Sequence, residues 1–155
     1  MKKSILLFFS FISIGLMLSL QGCNSDALYD KSYYFKDNVW NKKDTAYFKV
    51  EVKNTDVVHD FILSLRTSKE YQYNNLWLHI FITAPDGSTS KVAQMIPLAN
   101  PDGSWIGKKS GTLVESTLRF DSKPFPLEGE YIFKITNATQ QEEIRYVEDI
   151  SLRID

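Results

Sequence analysis

One cysteine and two histidines are all that this chain of 155 residues offers from the side chains that most often ligate transition metals or serve as nucleophile and base. A single thiol has no partner for an internal disulfide, and no second Cys or paired His stands at zinc-ligand spacing. No Gly-rich phosphate loop and no Gly-x-Ser-x-Gly turn occurs. No apolar run reaches the roughly 20 residues that cross a bilayer as a helix, since residues 5–20 make an uncharged run of only 16. A basic block is missing too. With 18 Lys and Arg against 19 Asp and Glu the formal charge is −1, which argues against nucleic acid as a partner. These absences withdraw support from the common catalytic constellations, and no cofactor, metal or catalytic residue is expected.

What is present begins at the N-terminus. Lys2 and Lys3 precede the 5–20 run, and the pair reads as the charged and apolar regions of a secretory signal rather than a permanent anchor. Directly after it stands Leu20-Gln21-Gly22-Cys23, with the small Gly22 before the only cysteine, the pattern of a lipobox cut before Cys23. Gln21 departs from the small or aliphatic residue usual there, and the alternative is an ordinary signal with an incidental thiol. A lone exported cysteine would otherwise be a free thiol or an intermolecular bridge. Diacylglycerol on its sulfur removes that difficulty, and a second acyl chain on the new amino terminus makes the anchor stable. Residues 1–22 are thus a removed signal, 23–31 a lipidated N-terminus and polar tether, and 32–155 a single domain. The expected location is the cell envelope, lipid-held to a membrane, with the outer membrane the first choice.

Removing 22 residues from 155 leaves 133, one domain by size. Two lysines and no acid leave with the signal, so the formal charge moves to −3. Aromatics make up 14% of the chain, and they favour strands and fill cores. In residues 45–53, Ala46, Phe48, Val50 and Val52 alternate with Tyr47, Lys49 and Glu51, the period of a half-buried strand. Phe61, Leu63 and Leu65 repeat the pattern after a polar turn at 54–56. Leu76, Leu78, Ile80 and Ile82 form a third row, and Trp77, His79 and Phe81 opposite them predict a strand covered on both faces. Pro85-Asp86-Gly87-Ser88 marks a hairpin turn into a return strand over 91–96. Residues 98–111 read as a long irregular loop around Trp105, bent at Gly103 and Gly107. Strands over 114–120, around Tyr131, Phe133 and Ile135, and over 149–154 complete the series. Seven or eight short strands predict an all-β, antiparallel two-sheet sandwich, jelly-roll-like by first choice. A single sheet or a barrel stays open, because periodicity gives strands and not their pairing.

His59, in a polar turn, reads as an exposed loop residue, and His79 as a hydrogen-bonded member of an aromatic patch. Asp44, Asp56, Asp60, Asp86, Asp102 and Asp121 are expected in turns, where Asp bonds locally, with calcium a less economical reading. Glu142, Glu143, Glu148 and Asp149 read as a solvated connection and strand edge. Tyr71, Tyr73, Trp77 and Trp105 are the set from which an aromatic sugar platform could be built, although a sandwich core absorbs such residues by default. Trp77 and Trp105 are accordingly the two candidates for ligand contact or for anchoring a loop, and a glycan is the alternative partner.

Trp40-Asn41-Lys42-Lys43-Asp44-Thr45, Arg66-Thr67-Ser68 leading into Tyr71-Gln72-Tyr73-Asn74-Asn75-Leu76-Trp77-Leu78, and Leu98-Ala99-Asn100-Pro101-Asp102-Gly103-Ser104-Trp105-Ile106-Gly107 together resemble the GldH family of gliding-motility lipoproteins. Gly129-Glu130-Tyr131-Ile132-Phe133 and Val147-Glu148-Asp149-Ile150-Ser151-Leu152 fit the same pattern. The resemblance implies a Bacteroidetes envelope lipoprotein needed for surface gliding, associated with the machinery that also serves type IX secretion, and without an assigned catalytic site. In a host that does not glide it implies a role in secretion or envelope upkeep. Other gliding or secretion envelope proteins are then the expected partners, with the membrane reached through the N-terminal lipid.

Cys23→Ala is expected to abolish incorporation of labelled palmitate and to leave the precursor uncleaved before residue 23. Continued labelling of the variant would overturn the lipobox assignment.

Overall fold

The computed structural model describes residues 27–155, so the signal, Cys23 and its lipidation lie outside the described residues. Among the described residues eleven strands follow in chain order: β1 (Tyr29–Tyr34), β2 (Val39–Asn41), β3 (Ala46–Val52), β4 (Val58–Ser68), β5 (Asn75–Thr83), β6 (Thr89–Pro97), β7 (Lys108–Ser110), β8 (Leu113–Pro124), β9 (Gly129–Asn137), β10 (Glu143–Arg145) and β11 (Val147–Ile154). They form a five-stranded sheet ordered β1-β11-β4-β8-β7, a four-stranded sheet ordered β3-β9-β5-β6, and a β10-β2 pair. Every pairing is antiparallel.

The eight longer strands realise the jelly-roll order. Leaving aside β2, β7 and β10, the chain changes sheet at every connection except β5 to β6. β11 thereby lies between β1 and β4, and β9 between β3 and β5. The expected sandwich is present, but the count of seven or eight strands is too low. β2, β7 and β10 have three residues each, too short for a period to register. β1 was hidden for a different reason: it is an edge strand whose sequence Tyr-Asp-Lys-Ser-Tyr-Tyr is largely exposed. It starts inside the 23–31 segment read as a tether.

Alternation makes the core. β3 buries Ala46, Phe48, Val50 and Val52 and exposes the residues between. β9 buries Tyr131, Phe133 and Ile135, and β4 buries Phe61, Leu63 and Leu65. Phe61 meets Phe133 of the opposing sheet at 6.1 Å between centroids and packs on Phe120 and Phe125 at 5.9 and 5.1 Å. Trp40 is fully buried and stacks on Phe35 at 4.4 Å, so β2 and β10 close one end of the sandwich.

Several expectations about single residues change. β5 is not covered on both faces: Trp77 is 48% exposed, and His79 and Phe81 are half-buried, because the outer face of a two-layer sandwich has no third layer over it. His59 is buried on the inner face of β4, its Nδ1 3.1 Å from the Asp155 carbonyl and its ring beside Phe125. Asp60 and Asp121 stand in strands, not turns, facing Arg119 and Lys123. Asp86 and Asp102 do sit in turns and accept from the Ser88 and Ser104 amides, both at 2.9 Å.

Asp149 is the largest departure. It is fully buried instead of solvated, and the register sets it between Tyr34 and Arg66. Arg66 Nε donates to its Oδ2 at 2.6 Å, and the Arg66 guanidinium also lies 5.7 Å from the Tyr34 ring centroid. Hydrogen bonding to Asp149 raises the guanidinium further above its ordinary value, so Arg66 stays charged. A buried carboxylate needs such a partner. Arg66→Ala is therefore expected to destabilise the domain by about 2 kcal/mol, below the roughly 3 to 5 of a fully buried pair because the Arg66 side chain is 34% exposed. Asp149→Asn, which removes the charge as well, should cost less. Equal losses in urea denaturation would contradict this asymmetry.

Candidate functional site

Strand register sorts the loops into two ends. Tyr29 lies opposite Ile154, which lies opposite Phe61, so the chain enters β1 at the end that carries the 53–57 and 124–128 loops. The β5–β6 turn is at the same end, since Gly129 faces Val52 and sits against Pro85. At the other end are the 69–74, 98–107 and 138–142 loops. With β4 eleven residues long, the ends are about 35 Å apart at roughly 3.3 Å per residue.

The far end brings together the aromatic set singled out in the sequence. Tyr71 is buried, and its hydroxyl donates to the Asn75 carbonyl at 3.4 Å. Burial pushes its phenol well above the ordinary value, so it remains a neutral donor. Tyr73, 48% exposed, meets Tyr71 edge-on at 5.7 Å and accepts from Gln141 Nε2. Trp77 projects from β5 beside them and is half-exposed. The core has absorbed only Tyr71 of these three.

Trp105 joins from the 98–107 loop. That loop is less irregular than its composition implies: Trp105 pairs with Ala99 in an isolated bridge, the Ile106 amide donates to Leu98 at 3.0 Å, and Asn100 to Ser104 at 2.8 Å. Residues 108–110, read as loop, form β7 against β8. Gly103 takes the left-handed φ of +83°. Gly107 serves otherwise, since a Cβ there would collide with the Glu115 backbone on β8. The Trp105 ring is half-buried and packed against the core, and part of it faces solvent.

Two adjoining clefts result. One, of about 320 Å³, lies among Tyr71, Tyr73, Trp77 and Gln141. The other, of about 380 Å³, lies among Tyr71, Tyr73, Asn100 and Trp105. Tyr71, Tyr73 and Asn74 form their shared wall.

An apolar cleft at the opposite end, between Ile82, Ala84, Phe125 and Pro126, has about 330 Å³. Its polar lining is Ser88, Thr89, Ser90 and Lys123, and Lys123 is paired with Asp121. Among the described residues no cluster of three His, Cys, Asp or Glu side chains is placed to hold a metal ion. His79 stands by Phe81 at 6.2 Å, far in the fold from the buried His59.

Comparison with known proteins places these features in a family. The model of the GldH lipoprotein family matches residues 27–154. The "Gliding motility lipoprotein GldH homolog" of Christiangramia forsetii is 25% identical over 94% of this chain and 93% of its own length. The "Gliding motility lipoprotein GldH" of Flavobacterium johnsoniae is 25% identical over 88% of this chain and 89% of its own. Among solved structures, CBM35 from Cellvibrio japonicus Abf62 aligns over 86% of this chain and 89% of that one, at 14% identity and a TM-score of 0.35, too distant to bear on fold or ligand.

Because Trp105 ties its loop to the core with part of the ring, Trp105→Ala is expected to cost about 2 kcal/mol, below the roughly 3 to 5 of a fully buried aromatic. A denaturation midpoint equal to the wild type would show that the ring contributes nothing to folding and faces a partner instead.

Proposed function

Because the chain belongs to the GldH lipoprotein family, we propose that it is a gliding-motility lipoprotein, held to a membrane of the cell envelope by lipid on Cys23. In this reading it works by contact with other envelope proteins of the gliding and type IX secretion machinery, and not by catalysis. The observation that carries the reading is the family match over 27–154, which takes in the whole sandwich and not one motif. Both relatives bear gliding-motility names, and the lipobox supplies the means of anchoring.

A contact role is consistent with the side-chain chemistry. The titratable groups that approach one another form ion pairs, such as Arg66 with Asp149 and Arg119 with Asp60, and these stabilise strand neighbours. The outer membrane is the preferred location, since a partner complex that exports proteins and moves the surface must be met there.

Deleting the gene is expected to abolish spreading on agar and to lower export of type IX cargo, with wild-type protein restoring both and Cys23→Ala restoring neither. In a host that does not glide, only the export measurement applies. A deletion strain that spreads and secretes like its parent would overturn the proposal.

A further inference from the structure

We propose that the paired clefts at the end of the sandwich remote from the N-terminus are a binding site for a neutral glycan chain. None of the residues lining either cleft carries a charge, in a chain where 24% of residues do. Tyr71, Tyr73, Trp77 and Trp105 supply the walls, and the polar groups between them are carboxamides and hydroxyls: Gln72, Asn74, Asn75, Asn100, Gln140 and Gln141 with Thr139. Core packing cannot account for this composition, since Tyr73 and Trp77 are each 48% exposed.

The chemistry selects the ligand. A sugar ring presents an apolar C–H face that lies against an aromatic ring, and an edge of hydroxyls that both donate and accept. Carboxamides match that edge because each offers two donors and an acceptor in one plane. Tyrosine and tryptophan combine an apolar face with a polar tip and suit a wet site. A charged glycan would leave its carboxylate or sulfate without a counter-charge among the cleft walls.

A peptide fits less well. Strand addition requires free backbone donors at a sheet edge, whereas β5 lies between β9 and β6. The backbone of the cleft loops is engaged with itself: the Leu98 and Ala99 amides both donate to Asn74, at 2.8 and 3.1 Å, and Ala138 donates to Trp77 at 2.8 Å. Side chains are what the clefts have to offer.

Position agrees with a ligand outside the anchoring surface. Cys23 precedes Leu28 by five residues, which reach about 17 Å at most. That holds the β1 entry end near the lipid and turns the clefts away from it. Only this direction rests on the lipid-anchor reading, so the test uses purified protein and is independent of motility.

The mature lipoprotein in detergent is titrated with cellohexaose, mannohexaose and xylohexaose, with a hexameric alginate fragment, and with an uncharged Ser/Gln-rich decapeptide. Intrinsic fluorescence is the readout, because Trp77 and Trp105 line the clefts while Trp40 is buried elsewhere. A saturable change with at least one neutral hexasaccharide is expected. Tyr73→Ala and Trp77→Ala should each weaken it at least tenfold with an unchanged denaturation midpoint, and Tyr73→Phe, which keeps the ring, by less than threefold. Gln141→Ala, at an exposed loop position, covers the case of an alanine variant that misfolds and should weaken binding at least threefold. No saturable change with any neutral hexasaccharide, binding of alginate or the peptide alone, or affinity unaltered by all four substitutions would overturn the site.

Discussion

Phe61 against Phe133 is the contact on which the rest of the molecule depends. One ring belongs to the five-stranded sheet and the other to the four-stranded sheet, and Phe120 and Phe125 close around Phe61 at 5.9 and 5.1 Å. Burying a side chain of this size stabilises by roughly 1.5 to 3 kcal/mol, and four rings sharing one site interlock, so the sheets cannot slide without losing all of it. Slipping β4 by one residue would turn Phe61 to solvent, and slipping β9 would do the same to Phe133. The register so fixed determines which loops share an end, and therefore which side chains can cooperate.

Jelly-roll order distributes the chemistry unevenly. Because consecutive strands mostly lie in opposite sheets, residues far apart in sequence converge at each end: Tyr73 meets Gln141 across 68 positions. The end that receives the chain from the N-terminus carries short polar turns, an apolar cleft and the C-terminal strand's last residues. The far end carries long loops rich in carboxamide and aromatic residues. The end that the chain enters at β1 and the end that carries the proposed glycan clefts are thereby separated by about 35 Å, the length of an eleven-residue strand.

Strands with two unlike faces could be read directly. Phe48 and Val50 alternate with Lys49 and Glu51, and Phe133 and Ile135 with Lys134, so β3 and β9 declare themselves, as does the hairpin at Asp86-Gly87. What stayed hidden depends on partners rather than on period. β1 is polar because it is an edge. Asp149 looks like part of a solvated acidic run until the register places Arg66 beside it. His59 looks like a loop residue until Asp155 comes back to meet it. The reversal at Tyr146, with φ of +70°, offers no glycine to announce it. For the candidate site the residue types were legible, since Tyr71, Tyr73, Trp77 and Trp105 stand out in composition. Whether they enter the core was not, because for Trp77 that depends on which face of β5 is left uncovered, and for Tyr71, Tyr73 and Trp105 on how the 69–74 and 98–107 loops fold back on the sandwich.

Loop rigidity decides whether an aromatic cluster at a surface can act as a site at all. Ordering a mobile side chain on binding costs about 0.5 to 1.5 kcal/mol each, which a few ring contacts would barely offset. Here the ordering is done during folding. Gly107 lets the chain press against the Glu115 backbone, Trp105 is pinned by its bridge to Ala99, and the Asn74 carbonyl accepts from two successive amides of the 98–107 loop. Tyr73 is braced on one side by Tyr71 and on the other by Gln141. The walls of both clefts are thus set before any ligand arrives. A loop of this length without secondary structure is ordinarily functional or disordered, and this one is ordered by contacts that leave part of the Trp105 ring and the Asn100 carboxamide at the surface.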